Sequence, residues 1–168
     1  IKDKKPTYPE TEAWILAKKG GSLDAEAVRK LNAAIAGYIH LGEKVGVLLE
    51  VGCGQGSTVA KEAFRDAVKD VTLHIAAANP KVVSREQVDP KLVEQEREIA
   101  AAQIKDKPAA VIDKIVQGKV DKFLSSIALL EQMFIKDPET TVEQLLKQQI
   151  MKLGENIQIR RFVRYAVG

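Results

Sequence analysis

A run of apolar residues at every second position in the first third of the chain constrains the fold most. Within residues 44–51, apolar side chains occupy every second position, namely Val45, Val47, Leu49 and Val51. Side chains of a strand point to opposite faces with a period of two, so these four line one face. Residues 38–41 form a second apolar stretch, separated from the first by Gly42-Glu43. The pattern predicts two antiparallel strands joined by a short turn.

Helical patterns fill most of the chain after this strand pair. We expect helices over residues 59–78, over 90–104, from Pro108 onward, and from a Thr140/Glu143 capping box to Gly154. The chain then closes with a predicted strand, residues 157–167. Its expected faces are Ile157, Ile159, Val163, Tyr165 and Val167 on one side and Arg160, Phe162 and Arg164 on the other. Strands at both ends with helices between them favour an α+β fold, with a small antiparallel sheet of about three strands.

The residues before the strand pair have a different character. A Lys- and Pro-rich arm, residues 1–9, precedes two predicted helices over residues 10–19 and 23–34. The sequence therefore predicts an N-terminal region, residues 1–36, followed by a core domain, residues 37–168.

Composition excludes several classes of function. The net charge is only +3, from 26 basic and 23 acidic residues, which is too balanced to indicate nucleic-acid binding. No apolar run approaches the roughly 20 residues that cross a bilayer. One cysteine, Cys53, rules out an intramolecular disulfide and favours a reducing compartment, and two separated histidines predict no zinc site.

A glycine-rich loop follows the alternating strand. Residues 50–56, EVGCGQG, match the cofactor loop of S-adenosylmethionine-dependent methyltransferases. Such a fold needs a second parallel strand ending in an acid about 20 residues further on, where this chain is helical. We therefore interpret the loop as a turn without a cofactor and keep the methyltransferase as a distant alternative.

Four passages, in order along the chain, resemble the elongation factor Ts family. They are GYIH with KVGVLLEV (37–40 and 44–51), LHIAAANP (73–80), LLEQ with FIKDP and TVE (129–143), and GENI with IRRFVR (154–164). The resemblance implies a small antiparallel sheet packed with helices and binding to elongation factor Tu. It also implies release of GDP without covalent chemistry, so no enzyme in the usual sense and no cofactor. Single-repeat members of this family tend to pair as homodimers, so the resemblance makes a homodimer one possible state of this chain.

The family's exchange loop, Asn-Cys-Glu-Thr-Asp-Phe-Val-Ala, is the main departure. Its Asp-Phe pair intrudes beside the magnesium site of the partner's nucleotide. Here the corresponding partner-binding residues are Cys53, Gly54, Gln55, Gly56, Ser57 and Val59. The acid and the aromatic are absent, so we expect GDP exchange to be weak or lost.

A second partner surface is predicted at His74, Arg160, Arg161 and Arg164. The simpler interpretation makes His74 a hydrogen-bonded structural residue and the arginines solubility charges on an edge strand. No catalytic residue and no metal ligand is predicted.

Two functions are compatible with this sequence. The first is a factor of the translation apparatus that binds elongation factor Tu. The second is an exchange-dead descendant that serves as a structural subunit of a large organellar complex, such as a ribosome or membrane complex. The chain begins with Ile1, which fits removal of a targeting segment. We therefore expect an organelle interior, the mitochondrial matrix or plastid stroma, ahead of a bacterial cytoplasm.

Overall fold

The computed structural model describes residues 32–104 and 108–167. The predicted N-terminal arm and nearly all of the two helices after it lie outside these residues. The described elements are β1 (Ala33–Ile39), β2 (Val45–Cys53), α1 (Glu62–Ala78), α2 (Pro90–Ala102), α3 (Ala109–Ile127), β3 (Met133–Phe134), β4 (Asp137–Thr141), α4 (Val142–Leu153) and β5 (Ile157–Ala166). The chain divides into two compact units, one with residues 77–143 and the other with the residues before and after them.

The first unit is built on a three-stranded antiparallel sheet in the order β1-β2-β5. This confirms the α+β fold class and the shared sheet. Gly42 and Glu43 have positive φ values of 85° and 58°, and the Glu43 amide closes the turn by donating to the His40 carbonyl at 2.9 Å. β1 begins at Ala33, five residues before the predicted start, because pairing with β2 overrides the helical preference of its alanines.

The faces predicted for the last strand are wrong beyond Ile159. Val51 pairs with Ile159 and Glu50 with Arg161, so Arg160 is an extra residue in a β-bulge. The bulge reverses the alternation that follows it. Ile157 and Ile159 are buried, whereas Val163 and Tyr165 are exposed on the opposite, outer face.

Buried side chains of β2 and α1 supply much of the core of this unit. The predicted face of β2 is confirmed, with Val47, Leu49 and Val51 almost fully buried. The predicted stripe of the long helix is also buried, namely Phe64, Val68, Val71 and Ile75. The helix begins at Glu62 rather than at residue 59, because a 3₁₀ turn, Gly56–Ala60, and an extended Lys61 precede it.

The second unit contains α2, α3 and the hairpin of β3 and β4. Asp89 caps α2 by accepting a hydrogen bond from the Lys91 amide at 2.9 Å, with Pro90 at the first position, as predicted. α2 and α3 pack together through one hydrophobic cluster. Its buried members are Val88, Ala100, Val116, Val120 and Leu124. β3 and β4 were not predicted, because Asp137 and Pro138 are poor strand formers.

One passage that carries the family resemblance, LLEQ, makes side-chain contacts within this second unit. Arg85 donates to Glu131 of LLEQ through Nε and Nη2, at 2.6 and 2.5 Å. The Gln132 side chain donates to the Ser126 carbonyl at 2.6 Å. The Arg85 hydrogen bonds lower the pKa of Glu131, so this pair stays ionised at neutral pH.

The start of the last helix differs by one residue from the predicted capping box. α4 begins at Val142, which places Thr141 rather than Thr140 at the N-cap position. The Thr140 hydroxyl instead donates to the Asp137 carboxylate at 2.5 Å. Gly154, with φ of 68°, ends the helix as predicted.

Leu48 and Leu49 provide a matched test of the sheet. Leu49 is 0% exposed and Leu48 is 53% exposed, so adjacent leucines lie on opposite faces. We expect Leu49→Ala to lower the free energy of unfolding by about 3 kcal/mol and Leu48→Ala by less than about 1 kcal/mol. Urea denaturation measures both, and equal losses would contradict the described faces.

Candidate functional site

The loop after β2 is the first candidate site. It leaves the sheet at Cys53 and turns through the 3₁₀ segment Gly56–Ala60, where the Thr58 amide donates to the Gln55 carbonyl at 3.0 Å. Gly54, Gln55, Gly56 and Ser57 are exposed, and Val59 is half-buried. Thr58 is fully buried between Ser57 and Val59, so only residues 54–57 of the predicted loop form a continuous exposed segment.

Asn32, which was not predicted, anchors this loop. Its carbonyl accepts from the Cys53 amide, and its side-chain amide donates to the Gly54 carbonyl, both at 2.8 Å. The loop backbone is thus held at its first two residues. No sequence pattern marks Asn32, because its role depends on a partner 22 positions away.

The Cys53 thiol is not activated for reaction. Burial, followed by the nearby Glu155 charge, raises its pKa above the ordinary value. The thiol lies 3.1 Å from the Gln55 carbonyl, to which it donates. The preferred interpretation of Cys53 as a small, partly buried side chain at a strand end fits this environment.

Gly54 is packed against Glu155 from the loop after α4. A Cβ atom at Gly54 would lie 2.5 Å from Glu155 Oε2. The absence of a side chain at Gly54 therefore lets the carboxylate approach the exchange loop. Glu155 is a site residue that sequence reasoning missed, since the two positions are 101 residues apart.

Arg160 and Arg161 converge on Glu50 beside this loop. Arg160 Nη1 donates to Glu50 Oε1 at 3.2 Å, and Arg161 Nε donates to Oε2 at 2.6 Å. Consecutive strand residues normally point to opposite faces, and the bulge is what allows both to reach one carboxylate. The Arg160 guanidinium also lies over Gly52, where a Cβ would be 2.6 Å from Nε.

Two further predicted residues do not join this surface. His74 is fully buried, so its side chain is not available to a partner. Arg164 is half-buried, and its Nε donates to the Ala76 carbonyl at 3.1 Å, in the last turn of α1. Arg164 thus satisfies one of the carbonyls left unpaired at a helix end.

Among residues 32–104 and 108–167, no group of three His, Cys, Asp or Glu side chains could hold a metal ion. In the same residues, no helix is long and apolar enough to cross a membrane. The antiparallel sheet also differs from the parallel sheet that the methyltransferase interpretation needs.

The charge of Glu50 supports the first unit in a pH-dependent way. Burial alone would raise its pKa, but hydrogen bonds and charges from Arg161 and Arg160 together lower it below the ordinary 4.5. A lowered folded-state pKa stabilises the fold above the unfolded-state value and loses that effect as pH falls through the folded-state value.

We expect Glu50→Gln to lower the free energy of unfolding by about 1 kcal/mol at pH 7, because Arg161 is largely exposed and screened. The difference from the unaltered protein should shrink as pH falls below 4.5. Urea denaturation across this range measures it, with Glu98→Gln on the exposed face of α2 as control. A difference that is constant with pH would contradict the described ion pairs.

Comparison with known proteins identifies the family. The family model described as elongation factor TS matches residues 17–168. The chain is 48% identical to elongation factor Ts of Alkaliphilus oremlandii over 155 residues, which cover 91% of this chain and 68% of that protein. It is also 48% identical to elongation factor Ts of Caldanaerobacter subterraneus subsp. tengcongensis over 158 residues, which cover 92% of this chain and 79% of that protein. Elongation factor Ts of Geobacter metallireducens is 46% identical over 154 residues, which cover 90% of this chain and 68% of that protein.

These relatives correct the expected location. All three are bacterial proteins, so the placement in a mitochondrial matrix or plastid stroma is wrong, and the relatives point to a bacterial cytoplasm. The sequence passages, the antiparallel sheet and the match over most of the chain agree with one another. This chain belongs to the elongation factor Ts family of translation factors.

Proposed function

We propose that this chain binds elongation factor Tu and accelerates GDP release from it only weakly. Family membership supports the partner and the translational role. The finer point, weak exchange, rests on the exposed loop. A bacterial setting leaves no basis for the organellar structural subunit considered from the sequence alone.

The carrying observation is the composition of the exposed segment from Gly54 to Ser57. Its side chains are those of two glycines, one glutamine and one serine, and none is aromatic or acidic. A buried aromatic at an interface centre contributes about 2 kcal/mol or more. A factor accelerates release only when it binds the empty partner better than the loaded one, and such a wedge creates that difference.

The backbone of the loop is held in place, and what the loop lacks is the acidic and aromatic side chains that would expel the nucleotide. Two hydrogen bonds tie it to Asn32, and the 3₁₀ turn Gly56–Ala60 shapes the rest. An ordered loop can present new side chains without a large entropic cost. Restoring the acid and the aromatic at Gly56 and Ser57 should therefore restore part of the activity.

A GDP-release assay tests this proposal. We expect the unaltered chain in excess to speed release of a fluorescent GDP analogue from elongation factor Tu of its own cell by less than about tenfold. The variant Gly56→Asp/Ser57→Phe should be at least about tenfold faster, because a 1.4 kcal/mol gain corresponds to that factor. A Cβ at Gly56 would lie 3.3 Å from Asn32 Oδ1, so the Asn32 side chain must shift by a few tenths of an ångström to admit the change.

The matched control is Gly56→Ala/Ser57→Ala, which alters the same positions without adding the wedge. The elongation factor Ts of Alkaliphilus oremlandii sets the full rate with its own partner. Acceleration by the unaltered chain that equals this full rate would contradict weak exchange. Binding of neither form to elongation factor Tu would contradict the proposed partner itself.

We further propose that two copies pair through the outer face of the sheet. Apolar side chains stand exposed there, with Ile35, Leu48 and Tyr165 each more than half exposed. Leu48 and Val163 are cross-strand partners and line a shallow hollow with Ile35. A contiguous apolar face of this kind marks an interaction surface, and an identical face on a second copy matches it.

Leu48→Glu tests this pairing. A charge at the centre of an apolar interface costs several kcal/mol, so we expect the variant to be monomeric at micromolar concentration. Sedimentation equilibrium measures the mass, and Glu98→Gln should leave the dimer intact. A monomeric unaltered protein, or a dimeric Leu48→Glu variant, would contradict pairing through this face.

A further inference from the structure

β1 is an edge strand with outward-facing backbone groups. In the described sheet it pairs only with β2. The His40 amide donates to the Val45 carbonyl and the Cys53 amide to the Asn32 carbonyl, both at 2.8 Å. Antiparallel bonding alternates along a strand, so the even-numbered residues of β1 bond to β2. The backbone N–H and C=O groups of Ile35, Gly37 and Ile39 therefore point away from the sheet.

This edge lacks the usual protection against strand addition. Edge strands are commonly blocked by charged side chains, proline or a bulge. β1 reads Ala-Ala-Ile-Ala-Gly-Tyr-Ile, carries no charge and no proline, and pairs with β2 without a register shift. In the part of the chain that the structure describes, no strand pairs with this edge of β1.

A groove of about 410 Å³ runs beside this edge, between β1 and α1. Ala34 and Ala36 line its strand side, where their short side chains leave room. Phe64 and Val68 line its helix side, and both are buried. The groove thus offers an apolar floor next to a row of backbone donors and acceptors.

A row of cations borders the groove. Arg65 and Lys69 are exposed and four residues apart, so they share one side of α1, and the exposed Lys61 directly precedes the helix. Arg65 and Lys69 are the charged residues among those described that line the groove. The acidic residues of the same helix, Glu62, Asp66 and Asp70, fall on the neighbouring row. Like charges at this spacing destabilise a helix slightly, and a bound anion relieves that cost.

We propose that β1 and α1 form a docking site for an extended acidic peptide segment of a partner protein. The segment adds to β1 as a fourth strand, a common mode of peptide recognition. Its groove-facing glutamates lay their methylene groups over Val68 and place their carboxylates beside Arg65 and Lys69. Its other side chains extend the apolar outer face that Ile35 begins. This site does not depend on the exchange loop or on nucleotide release.

Short alternating peptides provide the probe. A fluorescein-labelled Val-Glu repeat of about eight residues, blocked at both ends, spans an edge strand of ordinary length. Its neutral counterpart is the Val-Gln repeat of the same length. Fluorescence anisotropy at low salt should show the acidic repeat binding at least about tenfold tighter than the neutral one. Equal affinity would overturn the acidic specificity, and absence of binding would overturn the site.

Two pairs of variants separate the contribution of charge to peptide binding from that of the strand edge. Arg65→Gln/Lys69→Gln should weaken the acidic repeat by about tenfold, whereas Lys91→Gln/Lys122→Gln, with the same loss of charge elsewhere, should change it by less than about twofold. Gly37→Pro removes one outward N–H, and Gly37→Ala retains it with its Cβ 3.4 Å from Leu48 Cδ2. Binding should fall only in the proline variant.

Unfolding midpoints confirm that each variant is folded. If Arg65→Gln/Lys69→Gln and Lys91→Gln/Lys122→Gln bind the acidic repeat with equal affinity, the role of the cation row is overturned. Equal affinity of folded Gly37→Pro and Gly37→Ala would overturn strand addition. If Gly37→Pro does not fold, the comparison of Arg65→Gln/Lys69→Gln with Lys91→Gln/Lys122→Gln alone decides whether the acidic peptide binds at this site.

Discussion

The antiparallel pairing of β2 with β5 positions nearly every candidate site residue of the first unit. β2 is the central strand, and its register with β5 shifts by one residue between Glu50 and Val51. That bulge brings Arg160 and Arg161 to one carboxylate and turns Val163 and Tyr165 to the outer face. A regular β5 would have put one of the arginines into the core, where an unpaired charge costs several kcal/mol.

The same pairing shapes the loop that follows β2. Arg160 and Glu155 lie against Gly52 and Gly54, where an added Cβ would meet the ends of these two side chains. Two of the three glycines that resembled a cofactor-binding motif are therefore in close contact with side chains from near the end of the chain. The exposed part of the loop, from Gly54 to Ser57, is free of aromatic and acidic side chains.

Sequence patterns were sufficient to predict features that depend on a single helix or strand. The alternation of β2, the buried stripe of α1, the Asp89 cap and the Gly154 stop all depend on residues within a few positions of one another. The bulge at Arg160, the anchoring by Asn32 and the contact of Gly54 with Glu155 depend on partners 22 to 110 residues away. No local period carries that information. The resemblance nonetheless succeeded because passages such as LLEQ hold structural contacts, including the Glu131–Arg85 pair.

The central claim is that this chain binds elongation factor Tu without a strong preference for its nucleotide-free form. Isothermal titration calorimetry against the GDP-bound and the nucleotide-free protein measures that preference directly. Without the wedge, we expect the two dissociation constants to lie within about tenfold of each other. A preference of about a thousandfold or more for the nucleotide-free form would contradict the account, because it would supply the free energy that expels GDP.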